Sequence, residues 1–237
     1  ASGQAIVFQA RAGTPELNCC SANGPRSLGM LSEWSVMKTA DGLALNSYGP
    51  GSFQGKLGDN TPVALQIEGD YPLSGRIQIR VEPLVSRRFN LKLRIPGWSE
   101  SNSIRVNNSV VTNAVPGRYL DLARLWKAGD RITLDFDLRL RAVSGERETT
   151  GRVSVYRGPL LLAYDQAHNA FDPDAIPPLD VRKLDNAKTI SMRAKQERNV
   201  LFPWIVLEFT GTETHRLRLC DFASAGAAGT QYRTWLP

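Results

Sequence analysis

From Leu43 onward, the chain is a succession of short segments in which apolar and polar residues alternate. The clearest segment, RITLDFDLRLRAV, would place five apolar side chains on one face of a strand: Ile132, Leu134, Phe136, Leu138 and Leu140. Such a period of two is typical of a sheet that has one face in a core. Because no helical pattern separates these segments, the sequence predicts a mainly β fold built from antiparallel sandwiches.

Turn residues divide the strand pattern into blocks. Gly, Pro, Asn and Asp bound further strand candidates, which read TPVALQIEG, GRIQIRVEP, FNLKLRIPGW, SIRVNNSVV, GRVSVYRGPLLLAY and WIVLEF. The stretch FDPDAIPPLD is predicted as a loop. We therefore expect a short N-terminal piece at residues 1–37, a β-sandwich domain at 38–145 and a second one at 146–237, with strand exchange allowed between the two sandwiches.

One helix is predicted, close to the N-terminus. Pro25 suits the first position of a helix, where a missing N–H costs nothing. Leu28, Met30, Leu31 and Trp34 would then form an apolar face that extends to about Met37.

Composition narrows the class of protein. The 237 residues carry a formal net charge of +6 and 42% hydrophobic residues, enough for one large core or two modest ones. Since the basic residues are dispersed, nucleic-acid binding is not expected. No apolar stretch approaches the roughly 20 residues of a membrane span, and the opening ASGQAIVFQA resembles no secretory leader. The chain is expected to be a processed or truncated product, and neither compartment nor oligomeric state can be assigned.

Cys19 and Cys20 are adjacent, and the only other cysteine is Cys220. Neighbouring Cα atoms are about 3.8 Å apart, less than the roughly 4.4–6.8 Å that an unstrained disulfide spans. The pair is better explained as thiolate chemistry at the entrance to the predicted helix, or as two small buried hydrophobes. Zinc is the metal that best suits two thiolates, but it needs about four ligands. Glu16 is the nearest additional candidate, while His168 and His215 are far along the chain.

Other polar and aromatic residues have ordinary interpretations. Trp98 and Trp126 could form a platform for a sugar, but an aromatic plug at the end of a sandwich is favoured. The carboxylates considered as general acids are better explained as surface residues: Glu16, Glu33, Glu146 and Glu148.

A series of motifs resembles a known family. In chain order they read CCSANGPR, DGLALNSYGPG, DYPLSGRIQIRV, LKLRIPGW, RLWKAGDRITLDF, GRVSVYRGPLLLAY and YRTWLP. Their order resembles the C-terminal portion of the β-L-arabinofuranosidases of glycoside hydrolase family 127 and their DUF1680 relatives. The resemblance extends over nearly the whole chain.

The resemblance implies a retaining, zinc-dependent glycoside hydrolase that acts on plant-type oligosaccharides or glycoconjugates. Residues 1–37 would be the last part of an (α/α)6 catalytic barrel that is otherwise absent. Cys19 and Cys20 would bind zinc, and Cys19 would also be the nucleophile. In the family, the other zinc ligands and the acid/base Glu lie upstream, so the chain alone would be inactive. The alternative is a non-catalytic module that binds carbohydrate or has a structural role.

Overall fold

The structure, a computed structural model, describes residues 19–192, 203–210 and 216–237. Among these residues it contains two compact units. The N-terminal unit runs up to Tyr71 and continues through Gly75–Phe136, and the C-terminal unit comprises Pro72–Ser74 and Asp137–Pro237. Strands dominate both units, which confirms the predicted mainly β fold. The expected domains at 1–37, 38–145 and 146–237 stay a prediction.

Within the part of the chain that the structure describes, the N-terminal unit contains one α-helix, α1 (Cys19–Ser35), and ten strands. The strands are β1 (Val36–Thr39), β2 (Gly42–Leu45), β3 (Gly51–Lys56), β4 (Pro62–Gly69), β5 (Arg76–Pro83), β6 (Arg87–Arg94), β7 (Asn102–Val106), β8 (Ser109–Val111), β9 (Tyr119–Trp126) and β10 (Asp130–Phe136). They form one sheet of order β1-β2-β6-β9 and a second of order β3-β4-β5-β10-β7-β8. Only the β2–β6 pairing among them is parallel.

Both sheets contribute to one apolar core, as alternation predicts. Leu43 and Leu91 come from the first sheet, and Ile79 and Ile132 face each other across β5 and β10 in the second. Each of these four side chains is almost completely buried. At about 25 cal/mol for each Å² of apolar surface removed from water, this core is the main source of the unit's stability.

The motif DGLALNSYGPG joins the helix to this sandwich. The Asn46 side chain donates to the carbonyl of Trp34, and its backbone N–H donates to that of Ser35, so two carbonyls at the end of α1 are satisfied. Gly42 is needed for close packing, because a Cβ there would lie 1.9 Å from the Asn90 carbonyl oxygen. The buried Tyr48 hydroxyl donates to the carbonyl of Arg94 at 2.8 Å.

Outside the undescribed residues 193–202 and 211–215, the C-terminal unit contains seven strands, β11 (Leu140–Ser144), β12 (Val153–Arg157), β13 (Leu160–Asp165), β14 (Lys188–Met192), β15 (Ile205–Thr210), β16 (Arg216–Asp221) and β17 (Tyr232–Arg233). It also has four 3₁₀ helices, at Arg147–Thr149, Gln166–His168, Pro173–Ala175 and Val181–Asn186. The strands form one sheet of order β11-β12-β13-β16-β15-β14, and β17 pairs with β13. Ile176 and Leu179 of the predicted loop FDPDAIPPLD join the core of this unit.

The segment RITLDFDLRLRAV is not one strand, which corrects the sequence analysis. β10 ends at Phe136 and β11 begins at Leu140, and the two strands belong to different units. Asp137 explains the interruption, because its carboxylate accepts a hydrogen bond from the backbone N–H of Arg139 at 3.0 Å. This local bond favours a turn over a continuing strand. Ile132, Leu134 and Phe136 are buried as predicted, whereas Leu140 is only half-buried.

The predicted helix is present, but its bounds differ from those predicted. α1 begins at Cys19, six residues before Pro25, and it ends before Met37, which lies in β1. Pro25 is thus inside the helix, where it removes one backbone hydrogen bond. The predicted apolar face is exposed: Leu28 is 71% exposed and Leu31 is 55% exposed. Within the described ranges, no helix is long and apolar enough to cross a membrane.

Candidate functional site

The adjacent cysteines lie in α1, in the first turn that the structure describes, rather than in a loop before the helix, which corrects the predicted placement. A helix N-terminus has unpaired backbone N–H groups and a partial positive charge. Both features stabilise a thiolate relative to a thiol. A helix N-terminus at this point would favour thiolate chemistry at Cys19 and Cys20, and the roles assigned to them stay predictions.

The fit of this pair to zinc can be judged from its donor atoms. Two cysteine thiolates are the sulfur ligands that zinc prefers, and they supply two of the four positions of a tetrahedral site. Glu16, the nearest further candidate, lies outside the described residues. The pair therefore suits zinc, with the other ligands still to be supplied.

The carboxylates considered as general acids lie where surface residues are expected. Glu33 is exposed on α1, Glu146 is exposed just before a 3₁₀ helix, and Glu148 is exposed within it. An exposed carboxylate keeps its hydration and is not enclosed in a site from which water is excluded. The expectation that these three glutamates are surface residues is confirmed.

The two tryptophans weighed as a sugar platform pack inside the N-terminal unit. Trp126 is completely buried, and its indole N–H donates to the carbonyl of Phe89 at 3.2 Å. Trp98 is half-buried, with its ring edge-to-face against Phe136 and 6.1 Å between centroids. The plug interpretation is therefore confirmed for Trp126 and favoured for Trp98.

The C-terminal unit holds a polar cluster that the sequence did not predict. Asp165, His168 and Cys220 place one potential ligand atom each within 4.8 Å of one another. Among the described residues, this is the one group of three His, Cys, Asp or Glu side chains close enough to hold a metal ion. The sequence shows His168 only as a residue far from the adjacent cysteines, and His215 lies outside the described ranges.

Burial determines the electrostatics of the cluster. Cys220 is completely buried and Asp165 is 3% exposed, while His168 is half-buried. Desolvation, followed by the negative charges of Asp165 and Asp221, raises the pKa of the Cys220 thiol to about 12. The thiol is thus protonated at neutral pH unless a cation replaces its proton. The spacing of Asp165 and His168 in DQAH was the available local signal, but the pairing of β13 with β16 was needed to find Cys220.

A separate groove of about 660 Å³ lies on the same unit. Its aromatic lining comes from Tyr232 and Trp235, and its charged lining from Arg152, Asp174 and Arg233. Arg233 forms an ion pair with Asp174 at 3.3 Å. Aromatic rings beside hydrogen-bonding groups provide surfaces that suit a sugar ring.

Comparisons with known proteins found one family model and one curated relative that match part of the chain. Residues 42–138, which cover most of the N-terminal sandwich, match the family model for the β-L-arabinofuranosidase GH127 middle domain. The chain is 27% identical over 166 residues to a non-reducing end β-L-arabinofuranosidase of Bifidobacterium longum subsp. longum. That alignment covers 65% of this chain and 24% of the relative, so the chain spans about a quarter of the relative's length.

Solved structures share the fold. A glycoside hydrolase superposes with a TM-score of 0.78 at 22% identity, over 97% of this chain and 43% of the other. A GH127 β-L-arabinofuranosidase from Geobacillus stearothermophilus T6 superposes with a TM-score of 0.75 at 20% identity, over 92% of this chain and 37% of the other. Residues 42–138 thus match the GH127 middle domain, and the chain shares the fold of these solved glycoside hydrolases.

Proposed function

We propose that this chain is the C-terminal β region of a retaining, zinc-dependent glycoside hydrolase that acts on plant-type oligosaccharides or glycoconjugates. The observation that carries the proposal is the match of residues 42–138 to the GH127 middle domain. The activity named for the Bifidobacterium relative favours a terminal β-L-arabinofuranoside as the substrate. The parent protein would supply the remaining part of the active site.

Cys19 is the proposed nucleophile. Its sulfur attacks the anomeric carbon while the bond from that carbon to the leaving oxygen breaks, and water then cleaves the thioglycoside with net retention. A helix N-terminus close to Cys19 would favour the ionised form that this attack requires. Zinc, when bound, would keep the thiol deprotonated at neutral pH. Cys20 is the proposed second sulfur ligand and takes no part in bond making.

The chain alone is proposed to be inactive. Retention requires a carboxylic acid that protonates the leaving oxygen and later activates water. Glu33, Glu146 and Glu148 are all exposed, so none of them lies in an enclosed cleft of the kind that holds a substrate. We therefore expect no turnover of aryl arabinofuranosides by the 237 residues.

The two cysteines can be separated by substitution in the parent protein. Cys19→Ser should lower turnover of an aryl β-L-arabinofuranoside by several orders of magnitude, because an alcohol is far less ionised than a thiol near neutral pH. Cys20→Ser should first lower the zinc affinity, and activity should partly return when zinc is added. Ser27→Ala, on the same helix, is the matched control and should keep full activity. Near-full activity of Cys19→Ser would refute the assignment.

The groove on the C-terminal unit favours a second candidate, a carbohydrate-binding module. Tyr232 and Trp235 could stack on a sugar ring while Arg152 donates to its hydroxyl groups. In this case the isolated chain would bind arabinan fragments in a titration, and Trp235→Ala would abolish binding. This module would contain no zinc at Cys19 and Cys20 even in the parent, which separates it from the hydrolase.

A further inference from the structure

Three side chains of the C-terminal unit converge although they come from different parts of the chain. Asp165 ends β13, His168 ends the 3₁₀ helix that follows, and Cys220 lies in β16 opposite Ala163 of β13. Their potential ligand atoms, one oxygen, one nitrogen and one sulfur, lie within 4.8 Å of one another. These donors are the three kinds that zinc uses in proteins.

The Asp165 carboxylate is held in a fixed orientation. Its Oδ1 accepts from the backbone N–H of Ala167 at 2.8 Å and from the Thr230 hydroxyl at 2.5 Å, and its Oδ2 accepts from the N–H of Gly226 at 2.8 Å. A carboxylate has about four acceptor sites, so three are occupied and one remains on Oδ2. Partners of this kind orient a ligand before the metal arrives.

His168 is fixed through the backbone on both sides. The Asp165 carboxylate caps its 3₁₀ helix, and Asn169 follows it directly. The Asn169 amide donates to the carbonyls of Asp165 and Arg218 and accepts from the N–H of Arg218. This loop is therefore tied to β16, the strand that contains Cys220. As the half-buried member of the group, His168 provides the route from solvent.

We propose that Asp165, His168 and Cys220 bind one divalent transition-metal ion of the zinc type. An aspartate, a thiolate and a neutral imidazole would balance the two positive charges, so the buried group would carry no net charge. On binding, the thiol proton of Cys220 leaves to solvent and its sulfur takes the metal as partner. Three protein ligands leave one position for water. The site is independent of the zinc proposed at Cys19 and Cys20, and it uses none of the same residues.

Cobalt is a suitable probe because Co²⁺ follows the ligand preferences of zinc closely and thiolate coordination gives it a charge-transfer absorption band. The experiment uses the 237-residue chain with Cys19→Ser and Cys20→Ser, so that Cys220 is the only thiol. We expect one Co²⁺ per chain and a thiolate charge-transfer band that zinc removes by competition. The absence of this band, in a chain whose circular dichroism is unchanged, would overturn the proposal.

Two further variants in the same background test the other ligands. Cys220→Ser should remove the charge-transfer band, and His168→Gln should weaken Co²⁺ binding at least roughly tenfold while the half-buried position keeps the chain folded. His168→Gln binding Co²⁺ as tightly as its parent variant would overturn the three-ligand site. Because Cys19 and Cys20 are absent from every sample, neither result bears on the proposed hydrolase.

Discussion

The cysteines lie in two different parts of the chain, α1 and the end of β16. Cys19 and Cys20 lie in α1, whose residues from Asn23 to Gly29 are exposed. Cys220 is completely buried in the sheet of the C-terminal unit, beside two carboxylates. A helix start favours the thiolate, whereas burial near negative charge favours the thiol. The environment of a cysteine, and not the residue type alone, therefore determines whether it can act as a nucleophile.

The largest expected difference is in alkylation rate. With an ordinary thiol pKa of about 8.5 and a Cys220 pKa of about 12, the thiolate fractions at neutral pH differ by roughly three orders of magnitude. In the 237-residue chain, with a chelator present, iodoacetamide should therefore label Cys19 and Cys20 at least that much faster than Cys220. Peptide mass spectrometry over time measures the three rates separately.

The pH dependence checks the cause of that difference. A raised pKa means that the folded chain resists deprotonation of Cys220, so its labelling should increase about tenfold per pH unit up to about pH 12, as long as the fold persists. Unfolding in denaturant should make the three rates similar. If Cys19, Cys20 and Cys220 were labelled at equal rates in the folded chain at pH 7, Cys220 would not be protected by its burial.

Hydrogen bonds to Asp221 hold together the segments that enclose Cys220. The buried Asp221 accepts hydrogen bonds from the backbone N–H groups of Trp204, Ile205 and Ser224 and from the Ser224 hydroxyl. Asp221→Ala leaves these buried donors without an acceptor and should lower the free energy of unfolding by roughly 2–4 kcal/mol. Asp185→Ala, at an exposed position, should change it by less than about 0.5 kcal/mol. Urea denaturation measures both changes. If Asp221→Ala and Asp185→Ala lowered the free energy of unfolding equally, the end of β16 would be accessible to solvent.

The sequence predicted what depends on local periodicity. Alternation identified the buried positions of β10, including Ile132 and Leu134, because a strand with one face in a core repeats every two residues. Alternation failed after Phe136. There the Asp137 carboxylate accepts the backbone N–H of Arg139, which would otherwise be available for pairing in a sheet.

The buried polar cluster was beyond sequence reasoning for a different physical reason. Cys220 is 52 residues from His168 in the chain and reaches it only through the pairing of β13 with β16. Periodicity predicts which face of a strand is buried, but it does not predict which strands become neighbours. The cluster therefore depends on the pairing of β13 with β16, which the sequence does not predict.

The smallest effect is expected on α1. Leu28 is 71% exposed, so Leu28→Ala should change the free energy of unfolding of the chain by less than about 0.5 kcal/mol. Leu91→Ala, which truncates a completely buried side chain, should cost roughly 2–5 kcal/mol. A cost at Leu28 as large as that at Leu91 would mean that the helix face is covered within this chain.

The most direct test of the account labels the nucleophile in the parent protein. A cysteine-directed electrophile with the shape of an arabinofuranose should modify Cys19, and both substrate and zinc should change the rate of labelling. Mass spectrometry of the digested protein identifies the modified residue. The account predicts the label on Cys19, whereas a label on Cys20 or Cys220 would contradict it and would favour a packing role for the adjacent cysteines.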